Sequence, residues 1–458
     1  MQRHNDTIAA ISTAPGESAI GIIKLSGKRS LAILRSIFHS PSGSPLKRFR
    51  SHQLYYGHII DESGSPIDEV LAVYMRAPKT YTREDVVEIH CHGGTSALQQ
   101  VLQTVLDRGA RPAEPGEFTL LAFLNGRIDL TQAEAVMDVI QAKTHRSLIS
   151  ASDQLGGRLG RTIGEFKNRL IRLTAHLETY IDFPEEEIPR FDFESFYNQA
   201  TSLACEIETL IETYNKGRIL REGATVAIIG RPNVGKSSLL NMLLAEERAI
   251  VTDIPGTTRD TIEENISVDG LPIRLIDTAG IRQSHNLAES EGVRRSREAM
   301  KKAELVLLVL DKSMPLHNSD LELLDLLNSS KALIVLNKTD LPGAFSLACS
   351  GLQLTHVEVS ALHNKGTADL KSAIRSLIIK ENSTTEGTTI TRIRHKTSLK
   401  KTLQCLYAFI DGLKQDSEPP EILSLDLREA LEGLDNILGV TTADDILNVI
   451  FKDFCIGK

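Results

Sequence analysis

Gly230-Arg231-Pro232-Asn233-Val234-Gly235-Lys236-Ser237-Ser238 contains the pattern G-x-x-x-x-G-K-[ST]. It follows the apolar strand-like run Thr225 to Ile229 and opens a helical segment, the context that gives the pattern its meaning. There, backbone N–H groups of the loop cradle phosphates, Lys236 reaches the β- and γ-phosphates, and Ser237 ligates Mg²⁺. Further motifs follow in order. Asp277-Thr278-Ala279-Gly280 ends the next hairpin, where the carboxylate holds the Mg²⁺ shell and the Gly280 N–H senses a γ-phosphate. Asn337-Lys338-Thr339-Asp340 ends another strand. The Asp340 carboxylate accepts hydrogen bonds from guanine N1–H and the exocyclic amine, a pattern adenine cannot offer. Ser360-Ala361-Leu362 lies where a backbone N–H meets the guanine carbonyl. Together these describe a GTP-binding domain of the Ras-like type.

One departure bears on mechanism. Ras-like enzymes place a catalytic glutamine directly after the D-x-x-G, but Ile281 stands there and cannot orient a water. Glu289, in the following switch segment, is the candidate for that task; read by charge alone, it is equally a solvated helix-start carboxylate. Asn233 and the carbonyl-rich segment Thr252-Asp253-Ile254-Pro255-Gly256-Thr257-Thr258 are candidates to bind a monovalent cation, potassium foremost, with Thr258 as a second Mg²⁺ ligand.

The βα alternation around this core runs through Thr225 to Ile229, Ile273 to Ile276, Leu305 to Leu310, Leu333 to Leu336 and Val357 to Val359. On its N-terminal side, Leu155, Leu159, Ile163, Phe166, Leu170, Leu173, Leu177 and Ile181 predict one long amphipathic helix ended by Pro184. Gly156, Gly157, Gly160 and Gly164 predict a kink or close crossing in its first part. A second helix is expected over about Phe193 to Asn215. On the C-terminal side, a polar linker (Glu381 to Thr389) leads into Leu423, Leu427, Leu431 and Leu434 at helical spacing. Helices flank the α/β domain on both sides, so an insertion is expected. The first ~120 residues alternate β-rich runs, Ala19 to Leu25, Gln53 to Ile60, Val70 to Met75 and Val86 to His90, with one helix, about Ser96 to Arg108. The expected boundaries are 1–120 for a mixed α/β domain, 121–217 and 380–458 for the two parts of a helical domain, and 218–379 for the inserted GTPase domain.

Composition narrows the classes. The 458 residues carry 52 basic and 60 acidic side chains, a net charge of −8, so any polyanion-binding surface is local. Hydrophobic residues at 41% exclude a disordered chain. Cys91, Cys205, Cys349, Cys405 and Cys455 form no C-x-x-C pair, which fits a reduced cytoplasmic protein. The longest apolar runs fall far short of the ~18 residues of a membrane span, and Met1 to Ala14 lacks a signal-peptide core, so no membrane association is expected.

The sequence as a whole resembles the MnmE (TrmE) family of tRNA-modifying GTPases. The marks are Pro115-Gly116-Glu117-Phe118-Thr119 followed by Ala122 to Arg127, Asp129 to Glu134, Asp182-Phe183-Pro184, Gly256 to Asp260, and Cys455-Ile456-Gly457-Lys458. The resemblance implies a folate-binding N-terminal domain, a helical domain and an inserted GTPase domain. It implies a homodimer joined through the N-terminal domains, and a potassium-dependent GTPase whose G domains meet across the nucleotides. With the flavoprotein MnmG (GidA), it would add an aminomethyl-type, 5-carboxymethylaminomethyl group to the wobble uridine of certain tRNAs. Asn233, Thr252, Ile254 and Thr257 would surround K⁺, Ser237 and Thr258 would hold Mg²⁺, Glu289 matches a water-positioning glutamate, and Arg282 a switch-region arginine. The one-carbon donor would be 5,10-methylene-tetrahydrofolate, with 5-formyl-tetrahydrofolate as its analogue, bound by Lys24, Glu88, Arg127 and Lys458. Lys24 stands where Arg is usual and Arg127 where Lys is usual, exchanges that keep charge and change hydrogen-bond geometry. Leu121 replaces a charged residue common in the family.

Cys455 is a candidate nucleophile toward a pyrimidine carbon or one-carbon unit; the alternative is a small packing or recognition residue in a tail. His90-Cys91-His92 is not read as a metal site, because successive strand residues point to opposite faces and no second ligand pair has matching spacing. Basic clusters at Lys143 to Arg172 and Arg392 to Lys401 are either tRNA contacts or solvated helix faces. Thr442 and Asp445 read as a capping box. The GTPase motifs alone would equally fit a ribosome-assembly GTPase, and a GTP-switched scaffold without modification chemistry is a further alternative.

Overall fold

The computed structural model describes residues 6–46, 48–182, 193–246, 264–276, 297–327, 331–345, 355–379, 387–415, 419–441, 447, 450–452 and 454–458. The chain divides into an N-terminal unit, 1–137 with 435–458, and a central unit, 138–434.

In the N-terminal unit the chain forms β1 (Ile8–Ile11), β2 (Ser18–Ser26), α1 (Ser30–Ile37), β3 (Phe38–His39), β4 (Gln53–Ile60), β5 (Pro66–Met75), β6 (Val86–Gly93), α2 (Thr95–Asp107), β7 (Arg111–Pro112), α3 (Glu117–Leu124) and the start of α4 (Leu130–Gln141). The expected helix at Ser96 to Arg108 is α2; α1 and α3 join it, where the sequence predicts one helix. Both are short, eight residues each, too brief for a period of 3.6 to stand out from neighbouring strands. Seven strands pair in the order β3-β4-β5-β6-β2-β1-β7, antiparallel except for β1 with β7. Alternation divides the faces: Ile23, Leu25, Val87, Ile89 and Cys91 turn inward against Ile33, Leu34 and Ile37 of α1 and Leu98, Val101 and Val105 of α2. Gly21 makes α2's approach possible, since a Cβ there would lie 2.5 Å from Leu98. Lys24 and Glu88, directly paired across β2 and β6, stand on the opposite face. The C-terminal segment completes this unit, with Leu447, Phe451 and Phe454 packed on Leu130, Ala133 and Met137.

The central unit holds α5 (His145–Leu155), α6 (Arg158–Asp182), α7 (Phe193–Glu212) and α8 (Tyr214–Glu222), then β8 (Ala224–Ile229), α9 (Lys236–Glu246), β9 (Glu264–Val268), β10 (Leu271–Ile276), β11 (Leu305–Asp311), α10 (Asn318–Leu326), β12 (Ala332–Asn337), β13 (His356–Glu358), α11 (Thr367–Ile378), α12 (Ile393–Gln415) and α13 (Pro420–Leu438). The helix expected from Leu155 onward is broken, not kinked: Gly156 caps α5 and Gly157 turns at φ +80 before α6 begins. The stretch expected over Phe193 to Asn215 likewise ends at Thr213, whose hydroxyl donates to the Leu210 carbonyl and accepts the Ile390 N–H. Six strands order as β13-β12-β11-β8-β10-β9, parallel except β9. Both faces are covered: Val226, Leu307 and Leu333 belong to one core, Ala227, Leu308 and Ile334 to the other. Strands buried on both faces read as the continuous apolar runs seen in the sequence. This is a multidomain α/β plus α protein. No helix of the described residues is long and apolar enough to cross a membrane.

Candidate functional site

The C-terminal ends of β8, β11 and β12 lie side by side, the place where open α/β sheets bind ligands. The loop after β8 is shaped by close approach: a Cβ on Gly230 (φ +144) would lie 2.5 Å from the Val309 carbonyl, and one on Gly235 (φ +96) 2.1 Å from Asn337 Nδ2. Asn233 itself takes φ +64, a left-handed conformation that asparagine tolerates. Lys236 curls over the loop and donates to the Gly230 and Arg231 carbonyls, at 2.7 Å each. These partners are uncharged, and burial pushes its pKa down to about 8. A buried cation inside a ring of loop backbone fits a polyphosphate, whose charge would offset that desolvation. Ser237 and Ser238 begin α9, at the helix N-terminus that favours an anion.

Asn337 ties the site together. Its Nδ2 donates to the Val234 carbonyl at 2.9 Å, and its Oδ1 accepts the Ala361 N–H at 3.0 Å. The phosphate loop and the segment after β13 are therefore held by one buried carboxamide. Lys338, at φ +65, pairs its ammonium with buried Asp311 at 2.6 Å. Asp340 accepts the Ser360 hydroxyl at 2.5 Å, and that bond holds its carboxyl below the usual range. Asp340 is thus an anion at neutral pH, as guanine recognition requires. Leu362 projects into solvent. Thr252, Asp253, Ile254, Pro255, Gly256, Thr257, Thr258, Asp277, Thr278, Ala279, Gly280, Arg282 and Glu289 lie outside the described residues, as do Thr442 and Asp445.

A second cluster forms within the N-terminal unit. Lys24 Nζ sits 4.4 Å from the Tyr81 ring centroid and 5.0 Å from that of Phe118, while the Arg127 guanidinium lies 4.7 Å from the same Tyr81 ring. Burial lowers the Lys24 pKa to about 8; Glu88 opposes the shift, and Lys458 and Arg127 add to it. The four residues Lys24, Glu88, Arg127 and Lys458, far apart in sequence, therefore share one electrostatic environment. The tail reaches it by specific contacts: Ser12 Oγ donates to the Gly457 carbonyl at 3.1 Å, and the Gly116 N–H to the Cys455 carbonyl at 3.4 Å. Cys455 itself is exposed. Three cations against one carboxylate, over aromatic rings, suit an acidic ligand with a flat ring system. Tyr81 and Phe118 are the residues that motif reading passes over as contributors here: Phe118 is visible only as part of Pro115 to Thr119, and Tyr81 lies in a loop with no motif. Nearby, Cys91 faces the core, where burial pushes its thiol up to about 12, and the exposed His92 ring pairs with Asp68 at 2.6 Å, a bond that raises its pKa.

The phosphate loop, the Asn337 clasp and the ionised Asp340 define the class: a P-loop GTPase that binds GTP with Mg²⁺ and hydrolyses it. Family comparison makes the assignment particular. Residues 7–127 match the model of the GTP-binding protein TrmE N-terminus, and residues 130–455 that of the MnmE helical domain. Proteins named tRNA modification GTPase MnmE align along the whole chain. That of Syntrophotalea carbinolica is 48% identical over 99% of this chain and 100% of its own. That of Bacillus subtilis is 44% identical over the same shares, and that of Alkaliphilus oremlandii 42% over 99% of each. The chain belongs to the MnmE (TrmE) family.

Proposed function

We propose that this protein is the potassium-dependent GTPase that, with a flavoprotein partner of the MnmG type, forms the 5-carboxymethylaminomethyl-type modification on the wobble uridine of certain tRNAs. The observation that carries the reading is the convergence of Lys24, Glu88, Arg127 and Lys458 in a unit that does not contain the nucleotide site. A plain nucleotide switch has no need of such a cluster; a tetrahydrofolate carrier, with carboxylates at one end and a hydrogen-bonding pterin at the other, supplies a reason for it. The relatives' shared name supports tRNA as the substrate. A homodimer working in the cytoplasm, and the boundaries 1–120, 121–217, 218–379 and 380–458, belong to the same reading.

In this reading Lys236 neutralises the β- and γ-phosphates as charge moves onto the leaving group. Ser237 and Thr258 would hold Mg²⁺, which would supply Lewis-acid stabilisation of the phosphates. Asn233, with Thr252, Ile254 and Thr257, holds K⁺, and Arg282 belongs to the same switch region. Glu289 orients the attacking water in place of the glutamine that Ile281 replaces. Hydrolysis drives G-domain association and conformational change, while the folate cluster positions the one-carbon donor and the exposed Cys455 is the candidate nucleophile.

The test is nucleoside mass spectrometry of tRNA from cells lacking the protein, with GTP turnover of the purified chain in potassium and in sodium. Loss of the carbon-5 modified uridine and turnover that rises in potassium are the expected results. An unchanged nucleoside profile would reject the modification role, and equal turnover in both salts the potassium site.

A further inference from the structure

The Tyr81 ring receives two cations at once: Lys24 Nζ at 4.4 Å and the Arg127 guanidinium at 4.7 Å from its centroid. These like charges repel each other and Lys458 adds to the repulsion on Lys24, while Glu88 attracts Lys24 from the neighbouring strand. Without a brace, long side chains would separate into water and lose their spacing. The ring face carries negative quadrupole density and attracts both. Its own position is fixed from a third direction. The Tyr81 hydroxyl shares a 2.9 Å hydrogen bond with Thr119, a fully buried residue of α3, while Lys24 lies on β2 and Arg127 beyond the end of α3. The chain just after Tyr81 is tied to Asn125 twice: Arg83 donates to the Asn125 carbonyl at 2.9 Å, and Asn125 Nδ2 donates to the Thr82 carbonyl at 2.6 Å.

We propose that Tyr81 is a positioning residue of this site, its ring setting the separation of the Lys24 ammonium and the Arg127 guanidinium that receive the folate. This rests on the folate reading above, but the positioning itself is measurable without ligand. Tyr81 bears no charge at neutral pH, so it holds the cations together without cancelling the excess positive charge an acidic ligand needs. A carboxylate in its place would hold them equally well and compete with that ligand.

Four full-length proteins test the idea: wild type, Tyr81→Phe, Tyr81→Leu and Tyr81→Met, the last keeping bulk without a ring. Each is measured twice, by calorimetric binding of 5-formyl-tetrahydrofolate and by NMR titration of the Lys24 side chain in lysine-labelled protein, with thermal melting to verify folding. Tyr81→Phe should keep affinity within about 3-fold. Tyr81→Leu and Tyr81→Met should each weaken binding by about 10-fold. In Tyr81→Met, which fills the space but lacks the ring's negative face, loss of that attraction should move the Lys24 titration down from about 8. Wild-type affinity and an unmoved titration in Tyr81→Met would overturn the proposal, as would a loss in Tyr81→Phe as large as in Tyr81→Leu, which would assign the effect to the hydroxyl. If wild type binds no 5-formyl-tetrahydrofolate, the folate reading fails while the Lys24 titration still decides whether the ring positions the cation.

Discussion

Asn337 shows how one side chain can serve both stability and recognition. Both ends of its carboxamide are used, on the Val234 carbonyl and the Ala361 N–H, and the residue is 2% exposed. Asn337→Ala leaves two buried backbone groups unpaired, which costs on the order of 2–4 kcal/mol. Urea unfolding should show that loss, and GDP affinity should fall with it because the phosphate loop loses its anchor to β12. Lys236 makes a different prediction. Its pKa near 8 reflects burial, and bound phosphates would raise it by favouring the charged form. At pH 8 to 9 part of the lysine population is neutral before binding and protonated after it, so GTP binding should take up protons and weaken as pH rises through this range. Calorimetry in buffers of different ionisation enthalpy reads the uptake directly; a binding enthalpy independent of buffer would contradict it. These residues were legible as motif members. What the motif does not state is the partner of each, since Asn337 and Val234 are brought together by the parallel order of β8, β11 and β12, a long-range pairing that local pattern does not encode.

Pro115 to Thr119 is a short element with four tasks. Gly116 at φ +68 leaves room for the Phe451 carbonyl, where a Cβ would lie 2.8 Å away. Glu117, buried, grips Arg111 through both carboxylate oxygens. Phe118 lies beside Lys24, and Thr119 anchors Tyr81. The sequence shows the motif but not why these types recur together, because each partner lies on another strand, loop or tail. The tail is placed as tightly. Gly457 takes φ +92, and a Cβ there would sit 2.5 Å from the Ile11 carbonyl, a backbone atom that cannot swing away. Gly457→Ala should therefore shift Lys458 out of the cluster and weaken 5-formyl-tetrahydrofolate binding by about 10-fold, the loss of one charge-assisted contact. Unchanged affinity would mean that Lys458 contributes nothing. Helix breaks were the least legible elements. The apolar spacing around Gly156 and Gly157 continues at three and four, so periodicity alone reads one helix where a left-handed glycine makes two.

At the scale of the whole molecule, the nucleotide site belongs to the central unit and the cationic cluster to the N-terminal unit. Chemistry confined to one unit should then fail without the other failing. If Asp340 accepts from guanine, Asp340→Asn replaces that carboxylate with a carboxamide that donates, so GTP affinity should drop while xanthosine triphosphate, which carries a carbonyl at the same ring position, gains. In that variant 5-formyl-tetrahydrofolate should bind as in wild type. Arg127→Ala should do the converse, keeping GTP turnover and losing folate affinity by 10-fold or more. Both variants should lose tRNA modification when GTP is the nucleotide, and xanthosine triphosphate should restore it to Asp340→Asn alone in a reconstituted reaction with the flavoprotein partner. That rescue shows that modification needs a nucleotide bound in the central unit, without yet separating turnover from occupancy. A non-hydrolysable xanthosine analogue completes the comparison: occupancy without modification ties the chemistry in one unit to hydrolysis in the other, whereas full modification would reduce the nucleotide to a ligand.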